Sequence, residues 1–296
     1  MQRRHFHRML TAFVAGPLVS CAGAATPIRP ATGASLAALC AALEADVGGR
    51  LGVAILDTAT GALQGHRLDE RFPLCSTFKW LAAAAVLRRV DQGLEQLDRR
   101  IRFGTEALVP HAPVTSLHAG RPEGLSVAEL CAAAVLESDN PAANLLLTSF
   151  GGPAALTAFA RSVGDESTRL DRMEPEMNES LPGDPRDTTT PRGMAAALQR
   201  VVLGDALSAA GRAQLVAWLE AVRTNTHRLR AGLPPGWRLG SKTGTGERGS
   251  TNDAGVYWPP GRPPIVVAAY LTECTAPMAK RNAVIARVGH YARQQG

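Results

Sequence analysis

Ser76-Thr77-Phe78-Lys79 sets a hydroxyl and an amine three residues apart at the head of an Ala/Leu-rich run, Trp80 to Val90. On a helix, positions i and i+3 share a face, so the Lys79 amine can lie beside the Ser76 oxygen. A serine hydroxyl is a weak nucleophile until a nearby base takes its proton, and a lysine with a depressed pKa can be that base. The chemistry implied is acyl transfer through a serine ester. Taken alone, the pair also fits a capping serine followed by a solvated lysine, so other segments must decide.

Three segments bear on the choice. Ser138-Asp139-Asn140 follows the apolar run Val127–Glu137 and precedes Pro141, which puts it in a short loop at a helix end. It fits an ordinary turn with a helix cap, or a site where Ser138 passes a proton to a leaving nitrogen and Asn140 holds a substrate amide. Lys242-Thr243-Gly244-Thr245-Gly246 follows an apolar strand. Its glycines let a ligand approach the strand backbone closely, and Lys242 with Thr243 and Thr245 suits a substrate carboxylate. No Gly-x-x-x-x-Gly-Lys-[Ser/Thr] precedes a helix here, so it is not a phosphate loop. Arg172-Met173-Glu174-Pro175-Glu176-Met177-Asn178 lies in a long non-periodic stretch, Asp171 to Asp187. Such loops tend to be functional or disordered. Glu174 and Asn178 can hold a water, and Arg172 and Asp187 can close the loop as an ion pair.

The elements that must position these groups follow from periodicity. Ser35–Val47 has helical spacing, Leu51–Asp57 reads as a strand, and Ala62–Leu68 as its hairpin partner. Helices are expected at Thr77–Gln92, Val127–Glu137, Pro141–Ser149, Pro153–Ser162, Pro191–Val202 and Ser208–Ala221. Thr190-Pro191 is a strong start signal: a capping threonine with proline at the first helical position. Strands return at Trp237–Thr243, Asp253–Trp258 and Ile265–Leu271, and a helix follows at Ala279–Arg293. The fold class expected is α+β: an antiparallel five-stranded sheet built from both ends of the chain, flanked by the terminal helices. An all-helical lobe is inserted at about residues 74–223, and the α/β lobe takes about 35–73 and 224–296.

Composition narrows the function classes. The chain has 296 residues, 45% hydrophobic and only 5% aromatic, which suits one large domain with an aliphatic core. The net charge is +6, and subtracting the leader's Arg3, Arg4 and Arg8 leaves about +3. No Lys/Arg cluster of the size a nucleic-acid binder needs is present. Residues 1–25 read as an export signal with a twin-arginine look, and 26–34 as a linker. The mature protein is then periplasmic or secreted. Two processing readings stand: cleavage near Ala22-Gly23-Ala24, or lipid anchoring through Cys21, the one route to a membrane. The other cysteines, Cys40, Cys75, Cys131 and Cys274, form no Cys-x-x-Cys pair. No His-x-His or His-Glu-x-x-His occurs, so neither metal nor other cofactor is expected, and the thiols are expected to be mostly buried.

In this order, Ser-x-x-Lys, Ser-Asp-Asn and Lys-Thr-Gly resemble the signature of the serine β-lactamases and penicillin-binding proteins. The Glu174 loop makes the resemblance one to class A β-lactamases, from about Leu36 onward. It implies a monomeric hydrolase of penicillins and cephalosporins. Ser76 is then the nucleophile, with Ser76 and Thr245 backbone N–H groups as the oxyanion hole and Ser138 as proton relay. Asn140 binds the acyl-amide side chain. Glu174, helped by Asn178, activates the deacylating water, and either Lys79 or Glu174 is the acylation base. Lys242, Thr243, Gly244 and Thr245 line the substrate site. Where many relatives carry a strand arginine this chain has Thr251, and Arg228 is expected to supply the guanidinium. His111 falls at the position of an aromatic gate, which is one reading, an exposed loop histidine being the other. Cys75 matches a cysteine that is bridged in carbapenem-hydrolysing members, but its partner position is Gly246. The partner position for Cys131 is Ala83, so no disulfide is expected near the site. A penicillin-binding DD-peptidase and a β-lactam sensor share the acylating groups and are the alternatives, though neither needs Glu174 with Asn178.

Overall fold

Apolar residues alternate along the central strands, and the two sets face different layers. In the computed structural model, which describes residues 35–295, the expected hairpin forms from β1 (Arg50–Asp57) and β2 (Leu63–His66). It is joined by β3 (Arg238–Thr245), β4 (Thr251–Trp258) and β5 (Ile265–Thr272). All pairings are antiparallel, in the order β2-β1-β5-β4-β3. The last strand in sequence is therefore the middle strand of the sheet. The expected export signal, the linker and Cys21 lie outside the described residues.

On one face Leu51, Val53 and Ile55 of β1 and Val267, Ala269 and Leu271 of β5 pack with helices α1 (Leu36–Val47) and α8 (Met278–Gln295). On the other face Ala54, Leu56, Val266, Ala268 and Tyr270 join the larger core. That core takes in α2 (Phe78–Asp91), α3 (Val127–Leu136), α4 (Asn140–Phe150), α5 (Gly152–Ser162), α6 (Pro191–Leu198) and α7 (Ala209–Glu220). Helix α2 runs through the middle of this layer, with every residue from Phe78 to Leu87 buried. Its small Ala82–Ala85 stretch lets neighbouring helices approach on all sides, and a helix apolar all round belongs inside a core.

The helix starts were legible. Thr190 Oγ1 accepts the Gly193 N–H and Pro191 opens α6, while Ser126 and Glu129 form a reciprocal capping box on α3. The α6 end differs from expectation. The α-helix stops at Leu198, and a π turn, Gln199–Leu203, carries the chain onward with Val201 and Val202 still buried. The wider turn inserts a residue into one turn of the helix while both valines stay in the core. Strand β2 is also shorter than its expected span, because a turn begins at Arg67, whose φ is +48°. Among the described residues no single helix is long and apolar enough to cross a membrane.

Candidate active site

Ser76 sits on a 3-10 turn, Cys75–Thr77, that feeds directly into α2. The turn is tied down from several directions. Thr77 Oγ1 donates to the Leu74 carbonyl at 2.6 Å, Asn252 Nδ2 donates to the Pro73 carbonyl at 2.9 Å, and Leu74 N–H donates to the Asp187 carbonyl at 2.8 Å. Cys75, buried, takes a left-handed φ of +42°. Strand β3 passes against this turn through Gly244, where a Cβ would lie 2.9 Å from the Leu74 carbonyl oxygen. Glycine is what permits that approach.

One turn along α2, Lys79 is fully buried and its amine reaches four oxygens. It donates to the Ser138 carbonyl at 2.7 Å, to Ser138 Oγ at 3.4 Å and to Asn140 Oδ1, and it pairs with Glu174 Oε1 at 3.0 Å. The Ser76 hydroxyl donates to Glu174 Oε1 at 3.3 Å. The i, i+3 spacing therefore brings Ser76 and Lys79 onto one carboxylate, a closer description than the direct serine–amine contact expected from spacing. Burial pulls the Lys79 pKa below the ordinary lysine value, and the Glu174 charge opposes that pull.

Ser138 and Asn140 occupy the junction of α3 and α4. Ser138 is left-handed, with φ of +62°, and Asp139 caps α4 by accepting the Ala142 N–H at 2.9 Å. The other Asp139 oxygen accepts the Val114 and Thr115 N–H groups, both at 2.9 Å, which binds this junction to the loop that carries His111. Asn140 donates through Nδ2 to the Pro110 carbonyl at 2.8 Å. Lys242, at the centre of β3, donates to Ser138 Oγ at 3.1 Å. Two lysine amines thus occupy the acceptor side of the Ser138 hydroxyl. Burial, and then the nearby Lys79 charge, drive the Lys242 pKa well below its ordinary value.

Glu174 lies on the 171–187 loop. Its backbone is clamped by Asn144 of α4, whose Oδ1 accepts the Glu174 N–H at 3.0 Å and whose Nδ2 donates to the Glu174 carbonyl at 2.9 Å. Asn178 Nδ2 donates to Glu174 Oε2 from a 3-10 turn, Glu176–Asn178, so the loop is more ordered than its lack of periodicity suggested. The expected closing pair is present: Arg172 Nε meets Asp187 Oδ2 at 2.6 Å, and Arg172 also pairs with Glu179. Asp187, nearly fully buried, further accepts the Asp171 and Arg172 N–H groups.

Arg228 is buried under the rim of β3 and β4. Its Nη1 donates to the Gly244 and Asn252 carbonyls at 2.8 Å, its Nη2 to Thr245 Oγ1 at 2.7 Å and its Nε to Asn282 Oδ1 at 2.9 Å. Burial lowers its pKa from the ordinary arginine value. Thr243 Oγ1 pairs with Thr224 Oγ1 at 2.5 Å. His111 is exposed and left-handed, φ of +66°, with its ring Nε2 at 3.0 Å from the Glu137 carbonyl. Ser76, His111, Ser138, Asn140, Asn178 and Arg228 border one cleft of about 260 Å3, completed by Thr224, Thr243 and Thr245. Sequence reasoning missed Asn144, Thr224 and Asn282. Only Asn144 carried a signal, since it stands four residues after Asn140 on the same face of α4.

The four described cysteines are all free and buried. Cys75 faces Gly246, where a Cβ would lie 2.7 Å from Cys75 Sγ. Burial pushes the Cys75 thiol up to about 12, so it carries no reactive thiolate.

Comparison with known proteins agrees with this geometry. A model described as "Beta-lactamase enzyme family" matches residues 35–295. The carbapenem-hydrolyzing β-lactamase KPC of Klebsiella oxytoca is 50% identical over 253 residues, 85% of this chain and 86% of that protein. The β-lactamase L2 of Stenotrophomonas maltophilia is 47% identical, covering 99% of this chain and 98% of its own length. Among solved structures, an ancestral (GNCA) class A β-lactamase is 64% identical with a TM-score of 0.84, covering 86% of this chain and 98% of that one. On its motifs, its sheet order and these relatives, the chain belongs to the class A β-lactamases.

Proposed function

We propose that the protein hydrolyses the β-lactam amide bond of penicillins and cephalosporins through a Ser76 acyl-enzyme. The observation that carries this is the Glu174 carboxylate, which gathers Ser76, Lys79 and Asn178 while its backbone is clamped by Asn144. In acylation Ser76 Oγ attacks the lactam carbonyl, and the backbone N–H groups of Ser76 and Thr245 receive the oxyanion, each worth about 3 kcal/mol of barrier. The Ser76 proton has Glu174 Oε1 as its direct acceptor, with Lys79 bridging to Ser138. Because both lysine amines donate to the Ser138 oxygen, the hydroxyl hydrogen of Ser138 is free for the leaving nitrogen. Once Ser76 is esterified it no longer donates to Glu174, and that oxygen becomes available to a hydrolytic water. General-base assistance of this kind contributes about 10²–10⁴-fold.

Asn140 receives the substrate's acyl-amide side chain, and Thr243, Thr245 and Arg228 receive its carboxylate, with Gly244 letting the strand lie against the Ser76 turn and Lys242 donating into the cleft. His111 stands at the cleft mouth, and the Arg172–Asp187 pair holds the loop. The protein acts as a monomer exported from the cytoplasm. The test is hydrolysis of a chromogenic cephalosporin in large excess over enzyme. Many turnovers are expected. A single burst of about one product per enzyme would instead mean a penicillin-binding or sensor role.

A further inference from the structure

The guanidinium of Arg228 has five N–H donors, and four of them meet oxygen. The Asn282 side chain, the Gly244 and Asn252 carbonyls and the Thr245 hydroxyl lie at 2.7–2.9 Å. The fifth, on Nη2, points at the thioether of Met278, whose Sδ lies 4.0 Å away. A thioether is a weak acceptor, so this N–H is the one Arg228 gives up most cheaply. Met278 is also exposed. It shows 39% of its surface, whereas Met177 and Met194 are buried and Met173 is packed against the core. Met278 opens α8, and Asn282 follows one turn later on the same face, so two side chains of that helix set the guanidinium from opposite ends.

We propose that Met278 is an oxidation-sensitive site that controls how strongly Arg228 binds the substrate carboxylate. The proposal rests on the assignment of Arg228 to that carboxylate. The oxidant is a peroxide. The sulfur lone pair attacks the distal peroxide oxygen, the O–O bond breaks and an S–O bond forms. Sulfur loses two electrons, the peroxide gains them, and the proton of the transferred oxygen passes to the departing hydroxide to give water. The product sulfoxide puts a polar oxygen on the sulfur that Nη2 faces, within reach of its free N–H. A neutral, weak acceptor becomes a strong one facing a cation. The fifth N–H is then occupied, and the incoming carboxylate must displace it.

The test treats the mature protein with hydrogen peroxide, removes the excess with catalase, and locates sulfoxide by peptide mass spectrometry. Steady-state constants for a penicillin are measured before and after, in the unsubstituted protein, in Met278→Leu and in unoxidised Arg228→Ala. The expected result is oxidation at Met278 ahead of Met173, a KM raised about tenfold with kcat held within twofold, and recovery on treatment with methionine sulfoxide reductases. Met278→Leu should keep its own KM through the same treatment, and Arg228→Ala should raise KM without peroxide. Sulfoxide at Met278 with KM unmoved, while Arg228→Ala raises it, would overturn the inference and leave Arg228 in its role. No change of KM in Arg228→Ala would remove that role, and the inference with it. Oxidation at Met173 first, or an equal loss in peroxide-treated Met278→Leu, would also overturn it.

Discussion

Replacing Glu174 by glutamine separates the two halves of the reaction. The amide keeps the size of the carboxylate and one oxygen to accept from Lys79 and Ser76, 3.0 and 3.3 Å away. It removes the charge, and with it the carboxylate base that meets Ser76 and Lys79. Loss of a general base costs about 10²–10⁴-fold, or about 3–5 kcal/mol on the deacylation barrier. Acylation should suffer less. Burial already lowers the Lys79 pKa, and the Glu174 charge is the main influence opposing that shift. Without that charge the Lys79 amine is more readily neutral and can take the Ser76 proton itself. Stopped-flow measurement with a chromogenic cephalosporin should show a burst near one product per enzyme and then turnover at 1% of the original rate or less, as an estimate from the same factor. Mass spectrometry should find the acyl group on the peptide containing Ser76. Turnover within tenfold of the unsubstituted enzyme would refute the role given to Glu174. Absence of any burst would refute the division of labour, because acylation too would then depend on the carboxylate.

Other expectations follow from the clamps around the site. Arg172→Ala leaves Asp187, 1% exposed, without its cation, at a cost of about 3 kcal/mol. Thermal unfolding should fall by about 6 °C or more, with amides of the 171–187 loop losing exchange protection first, and a shift under 2 °C would contradict this estimate. Asp253 of β4 is fully buried, and burial raises its carboxyl from 3.8 to about 6. Folding therefore favours its protonated form, and the contribution, about 3 kcal/mol, is full at pH below 3.8 and lost as pH rises through 6. In Asp253→Asn that loss is absent, so urea unfolding should show the variant gaining on the unsubstituted protein between pH 4.5 and 7, and parallel curves would disprove it. Gly246→Cys places a second thiol against Cys75. Under oxidising conditions the thiol count of the denatured protein should fall to one below that of the unsubstituted chain, because Cys75 is consumed with the new cysteine, whereas a count higher by one would mean that no bridge forms.

The parts of the site that were legible in sequence are those whose spacing is local. Ser76 and Lys79 share a helix face, Ser138 and Asn140 flank one helix cap, and Lys242 to Thr245 lie on one strand. What spacing could not supply is the meeting of these segments. The Ser76 hydroxyl turns to Glu174, 98 residues away, and Arg228 is held by Asn282, 54 residues away. Backbone strain was equally hidden. Cys75, His111, Ser138 and Asp187 all adopt positive φ, which their residue types announce far less clearly than glycine would, and such residues cluster where surrounding structure over-determines them. The π turn after α6 was invisible for a related reason: its valines continue the helical pattern of Met194 and Leu198, so spacing does not mark the wider turn.

The position of β5 has a consequence for the life of the nascent chain. The strand made last lies between β1, made first, and β4. Until Ile265–Thr272 is available, β1 and β4 each present an open edge of unpaired backbone groups, and the two halves of the catalytic cleft have no common floor. The pairing that joins them spans more than 200 residues of sequence, and contacts of such range form slowly. Arrested synthesis or loss of the C-terminal segment therefore yields no partly active enzyme. It leaves β1 and the β3–β4 hairpin without the strand that joins them, and their facing edges unpaired. Activity is conditional on completion of the chain.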